Sequence, residues 1–314
     1  MTRAVQAWER FWFTPQPTST LGLFRIAFGM LALAWTLLLA PDLLTFFSRD
    51  GIVPRQPEYL LELPWVWGVL GGAPGDPVVI ALFAVLLVAC VCVLVGYRTR
   101  LASAVVFVGV VSFERRNPFV FNAGDALIRV MALYLVLAPA GASLSLDRLR
   151  TARDRFWEFP ARAPWALRLV QIQLSVIYIS TVWQKLQGET WRDGTAVSYA
   201  LRQDDLLRLE LPTALTASPA VSAALTYGTL GIELAVGVLI WSRRARPFVV
   251  VPAIALHLLV DATLAAALIS AAMLTAFVAF VEPETASRWI TQLRNRRFSR
   301  KAPVSASSLP PTNA

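Results

Sequence analysis

The chain has 314 residues, of which 56% are hydrophobic and 16% charged, with a mean hydropathy of +0.57; soluble globular domains carry about 25% charged residues, so that class is excluded and a membrane protein is indicated. The formal net charge of +9 suggests nucleic acid at first sight, but the basic residues fall in short clusters between apolar runs, the pattern of loops facing a lipid surface; the expected partner is the bilayer, and nucleic acid is set aside. The only cysteines, Cys90 and Cys92, lie two apart inside an apolar run, where a helix turns them to different faces and no disulfide forms easily.

In chain order, AVQAWERFWF places Trp8, Phe11 and Trp12 at helical spacing, so residues 1–20 read as an amphipathic interfacial segment on the cytoplasmic side. The run 21–40 is the first span, retained because the following PDLL lacks the small-x-small pattern of a cleavage site; Arg25, near its start, is placed to snorkel. Further runs follow at 78–96, 101–113, 126–140, 167–183 and 221–241. The closing stretch, 247–281, has 35 residues; as one helix it would be roughly 50 Å long, against a hydrocarbon core of about 30 Å, so it predicts a helical hairpin bending near residues 261–265. The fold class is therefore an all-α integral membrane protein, a polytopic bundle of about eight transmembrane helices over residues 21–281. Residues 282–314 form a cytoplasmic tail, basic first and disordered from Ala302 onward.

With both termini cytoplasmic, 19 basic residues fall on the inner side and eight on the outer side, with Arg25 and Arg129 inside spans. That bias sets the expected orientation in the cell membrane. The outer side then receives YISTVWQKLQGETW, and with it Lys185, one of only two lysines against 27 arginines. A buried ammonium can give up its proton, whereas a guanidinium stays charged. Three readings of Lys185 stay open at this level: a base, an anchor snorkelling beside Trp183 and Trp191, or an accident of composition.

Gln171, Ser175, Tyr178, Thr181 and Lys185 recur at spacings of 3 and 4, so they form one polar stripe on the fifth span, which must face protein or water. The run 101–113 spans only about 20 Å as a helix, so the ERRNPFVFNAGD after it begins below the outer surface. Glu114, Arg115, Arg116, Asn117, Asn122 and Asp125 are expected to line the floor of an outward cavity, with Asp125 also placed to cap the next helix. Arg129 is expected to pair with Glu114, Asp125 or Glu233. His257, the only histidine, shares a helix face with Asp261 four residues on. No HExxH or CxxC spacing and no Gly-rich phosphate loop occurs, so neither a metal nor a nucleotide cofactor is indicated.

Four blocks carry a resemblance: GLFRIAFGMLALAWTLLLAPDLLTFFSRDGIVP, GYRTRLASAVVFVGVVSFERRNPFVFNAGDALIRVMALYLVLAPAGASLSLD, QIQLSVIYISTVWQKLQGETWRDGTAVSYAL and GIELAVGVLIWSRRARPFVVVPAIALHLL. In order and spacing, over roughly residues 8–282, they resemble the horizontally transferred transmembrane (HTTM) domain, the membrane portion of vitamin K-dependent γ-carboxylase. The resemblance implies an outer-facing site where a lysine, in a K-L…W…D/E-G motif, deprotonates a reduced naphthoquinone (vitamin K or menaquinol). Oxygenation of that quinol generates the base that abstracts a glutamate γ-proton on a peptide or protein substrate. The motif falls on Lys185, Leu186, Trp191, Asp193 and Gly194. Where the carboxylases carry a histidine after the third span, ERRNPF offers Asn117, and the resemblance covers their membrane portion only.

Two function classes follow. In one, the protein acts on a quinol or another lipid-soluble substrate, with Lys185 as base, His257 and Glu233 assisting, and Arg115, Arg116, Asn117, Tyr178 and Trp191 binding substrate. In the other, the same cavity belongs to a non-catalytic membrane module that binds a lipid, peptide or partner protein.

Overall fold

The computed structural model describes residues 2–53, 67–72, 74–203, 205, 207–209, 212, 217–265 and 268–299; the tail expected to be disordered from Ala302 lies outside them. After an N-terminal helix, α1 (Arg3–Phe13), come α2 (Ser19–Leu38), the short α3 (Leu43–Phe47), α4 (Asp76–Val95), α5 (Thr99–Arg116), α6 (Ala123–Leu137), the short α7 (Leu146–Thr151), α8 (Trp165–Lys185), two short helices α9 (Glu189–Arg192) and α10 (Ala196–Ala200), α11 (Pro219–Leu239), α12 (Arg246–Thr263), α13 (Ile269–Phe277) and α14 (Pro283–Ser299). The two-residue strands β1 (Gln16–Pro17) and β2 (Ala161–Arg162) pair antiparallel.

A helix occupies each of the apolar runs. α2, α4, α8, α11 and α12 are long and apolar enough to cross a membrane, and a sixth candidate is the pair formed by α13 with its short continuation and α14, bent by 100°. α5 carries Arg100, Glu114, Arg115 and Arg116, and α6 has only 15 residues; these two fall short as independent spans and pack on each other, with α5 also against α4. The expected hairpin is present, α12 ending at Thr263 and α13 starting at Ile269. The basic part of the tail forms α14, which packs on α2.

Local signals set the boundaries. Asn122 is the N-cap of α6, and Asp125 closes the cap from the third position: Asp125 Oδ2 accepts the Asn122 N–H at 2.6 Å. Asp125 therefore caps, though not as the N-cap itself, and its Oδ1 accepts from Trp35 Nε1 at 2.6 Å. α4 stops at Gly96, whose φ of +71° suits glycine.

Arg25 does not snorkel. It is fully buried, and its guanidinium donates to the carbonyls of Val93 and Leu94, each at 3.0 Å, and of Leu144 at 2.5 Å. It thereby ties the end of α4, where the last carbonyls lack a following helical turn, to the segment before α7. The long helices alternate in direction, so α2, α5, α8 and α12 start at the end of the bundle that holds α1 and α14. This is called the near end, and the opposite one the far end.

Candidate functional site

α8 supplies the polar stripe, and each of four members meets a different neighbour. Gln171 Nε2 donates to the Ala279 carbonyl at 2.7 Å, and Ser175 Oγ accepts from Trp241 Nε1 at 2.9 Å. The Tyr178 hydroxyl lies 2.7 Å from His257 Nε2 on α12, and Lys185 Nζ donates to Glu233 Oε1 on α11 at 2.5 Å. The 3 and 4 spacing put these groups on one face, and packing against α11, α12 and α13 enclosed it.

Towards the far end this face becomes chemically unusual. The side chains of Lys185 and Glu233 are 21% and 12% exposed, and Glu233 Oε2 is buried with no hydrogen-bond partner. The Trp191 ring stands 4.5 Å from Lys185 Nζ, a cation–π contact that favours a positive charge there. Lys185 is the last residue of α8, yet α11 continues for 14 residues beyond Glu233, about 21 Å of helix. The segment after Lys185 lies along that extension: Tyr227 donates to the Arg192 carbonyl at 2.7 Å and Ser222 to the Gly194 carbonyl at 2.9 Å. The Asp193–Gly194 end of the motif is thus architectural. Asp193 Oδ1 accepts from Thr195 Oγ1 at 2.6 Å, and Gly194, at φ +81°, lets the backbone approach Ala223 and Tyr227 where a Cβ would be 3.1 Å from each.

The end of α5 builds a second feature. A cavity of about 270 Å³ is lined by Glu114, Arg115, Phe121, Asn122 and Arg129, among others. Arg129 pairs with Glu114, one of its three expected partners, and Glu114 Oε1 is buried without a hydrogen-bond partner. A neighbouring cavity of about 200 Å³ shares Phe121 and Asn122 and is bordered by Trp35, Phe46 and Asp125. Arg116 and Asn117 line neither, unlike the expectation. Arg116 is fully buried and its Nη2 donates to the carbonyls of Ser48 at 2.8 Å and Val53 at 2.6 Å. Asn117 Nδ2 donates to the Phe46 carbonyl at 3.0 Å, and its Oδ1 accepts the Phe119 N–H at 3.2 Å. Asn117 thus fastens the last turn of α3 and Arg116 the stretch after it, because those carbonyls reach them there.

His257 hydrogen-bonds across to Tyr178 rather than along its own helix to Asp261. No sequence signal pointed to the pairing of Tyr178 with His257 or of Lys185 with Glu233, since the partners lie 79 and 48 residues apart.

The family model described as HTTM domain matches residues 13–284. No curated protein and no solved structure matches the chain.

Proposed function

The chain belongs to the HTTM domain family, and we propose that this multi-pass membrane protein is an acid–base enzyme of the γ-carboxylase type, which removes a proton from an acidic hydroxyl of a lipid-soluble substrate. A reduced naphthoquinone is the substrate class that fits. The observation that carries the proposal is the largely enclosed Lys185–Glu233 pair, in which Glu233 Oε2 has no hydrogen-bond partner among the described residues. A pair that only fastened two helices would gain nothing from a desolvated, unsatisfied carboxylate oxygen, which costs about 1–3 kcal/mol. A substrate hydroxyl donating to Oε2 removes that cost.

Lys185 and Glu233 hold one mobile proton between them, and the substrate hydroxyl supplies a second. The pair is then cationic beside the oxyanion it has produced, a charge that the Trp191 face favours. Which of the two side chains carries which proton is a property of the pair. Tyr178 and His257, one face of α8 further down, offer a second hydroxyl and ring nitrogen for passing or holding a proton. A reduced naphthoquinone would supply the acidic hydroxyl and, once ionised, an electron-rich ring. Arg115, in the cavity of about 270 Å³ at the end of α5, suits an anionic group of the second reactant, such as a peptide carboxylate. Both termini lie in the cytoplasm and the far end faces outward, an orientation supported by the 19 to eight distribution of basic residues.

The test is the binding of menaquinol to the protein purified in mild detergent under anaerobic conditions, followed by quenching of tryptophan fluorescence. Saturable binding that is weakened by Glu233→Gln supports the site. No binding, or binding indifferent to Glu233→Gln, leaves a non-catalytic module as the function of this face.

A further inference from the structure

The near end holds a cavity that the proton chemistry does not use. It measures about 300 Å³ and lies where α8 begins, where α11 hands over to α12 and where α13 gives way to α14. Among the described residues three arginines border it, Arg168, Arg243 and Arg246, against a single carboxylate, Glu282. Glu282 Oε1 is 2.9 Å from Arg243 Nε and 3.6 Å from Arg246 Nη1, so one negative charge is shared by two cations, and among the described residues no carboxylate pairs with Arg168. The three guanidinium groups border one cavity, and such like-charge crowding is unfavourable unless an anion enters.

Two of the arginines, Arg168 and Arg246, are also held in place. Arg168 donates through Nε to the Phe11 carbonyl at 3.3 Å and through Nη1 to Gln171 Oε1 at 2.8 Å, and lies 4.8 Å over the Phe11 ring. Arg246 donates to the carbonyls of Ile240 at 3.0 Å and Phe280 at 2.9 Å. A guanidinium carries five N–H donors, so each retains donors after these bonds, in a fixed orientation. Preset guanidinium forks match the oxygens of a phosphate. Phe11 and Trp241 add apolar wall to the same cavity, and α1, which brings Phe11, exposes Trp8 and Phe13 as an interfacial helix does. The cavity therefore sits at headgroup level, where spans end, with cationic and apolar surface side by side.

We propose that this cavity is a phosphate site that takes the headgroup phosphate of an anionic phospholipid. Three guanidinium groups and one carboxylate leave a net charge of +2, which admits a headgroup of net negative charge and repels one that carries a quaternary ammonium.

The experiment measures thermal unfolding of the full chain in mild neutral detergent. The probes are dioleoylphosphatidylglycerol or dioleoylphosphatidylcholine in mixed micelles and, separately, inorganic phosphate. Phosphatidylglycerol is expected to raise the midpoint saturably and phosphatidylcholine is not. Arg168→Gln should weaken the apparent affinity about tenfold, as expected for a lost charge-assisted contact. Arg243→Gln, on a side chain 79% exposed, should weaken it less while leaving the fold intact, and it decides the matter if Arg168→Gln does not fold. A saturable response to inorganic phosphate that both variants lose supports the phosphate site with a soluble source. Equal responses to the two lipids without any response to phosphate, or a phosphatidylglycerol response unchanged in both variants, overturns the proposal.

Discussion

The hydroxyl of Tyr178 and Nε2 of His257 stand 2.7 Å apart, joining α8 to α12 beside Phe277, on which the Tyr178 ring stacks and against which the His257 ring stands edge-on. Each group is the polar partner of the other in an apolar setting. Tyr178→Phe should therefore destabilise the protein by about 1–3 kcal/mol, because it leaves the histidine nitrogen desolvated and unpaired. The double variant Tyr178→Phe with His257→Phe should be less destabilised than the sum of the two singles. A double-mutant cycle in thermal or denaturant unfolding measures this, and simple additivity would show that the pair contributes no coupling.

Lys185→Arg keeps a cation opposite Glu233 and beside Trp191, but a guanidinium does not exchange its proton in this range, so the proton that Glu233 takes from the substrate can no longer be passed on through the residue at position 185. The variant should reach the membrane at the parental level and lose turnover of its quinol-type substrate. Activity above about a tenth of parental, a difference of about 1.4 kcal/mol in transition-state stabilisation, rejects Lys185 as the base.

Removing one member of the Lys185–Glu233 pair strands the other in a nearly closed site. Glu233→Leu alone should lower stability by about 3 kcal/mol, towards the lower end for a broken buried pair because both side chains keep some exposure. Combining it with Lys185→Met should restore most of that loss without restoring activity. Expression and unfolding of the three variants check it, and a double variant as unstable as the single would mean that the ion pair itself holds α8 to α11.

Gly96→Ala should destabilise by about 1–3 kcal/mol, from its positive φ and from contact. A Cβ at this position would lie 2.4 Å from both Arg25 Nη1 and Ser145 Cβ, and Arg25 cannot yield because three carbonyls hold it. Unfolding in detergent measures the effect, and an unchanged midpoint would show that the guanidinium is free to move.

A pH dependence should come from Asp147, in α7 outside the spans. Burial raises its carboxyl pKa, but the Thr99 N–H and hydroxyl, the Arg98 N–H and the charge of Arg150 together hold it below the usual value. A carboxyl depressed on folding stabilises the protein above its unfolded value, about 3.9, and that contribution is lost as the pH falls through the folded value. The unfolding midpoint should therefore drop more steeply below pH 4 in the parent than in Asp147→Asn.

The sequence by itself determined that this is a helical membrane protein, where its apolar runs lie, that 247–281 folds back on itself and that one face of α8 is polar. Those properties follow from hydrophobic content, length and a period of 3.6 residues, which are local. It also showed that a lysine is unusual at position 185. Only the tertiary structure decided what the polar groups do. Arg25 and Arg116 read as membrane-edge or cavity charges in the sequence, yet both are fully buried and bind carbonyls of segments remote in the chain. Whether a charge at a helix end snorkels, lines a cavity or caps a neighbour depends on where that neighbour stops, and no local pattern encodes this. The same holds for Lys185 with Glu233 and Tyr178 with His257: packing of antiparallel and parallel helices chose the partners, because in a low-dielectric interior an unpaired polar group is costly and pairs with whatever the fold brings to it.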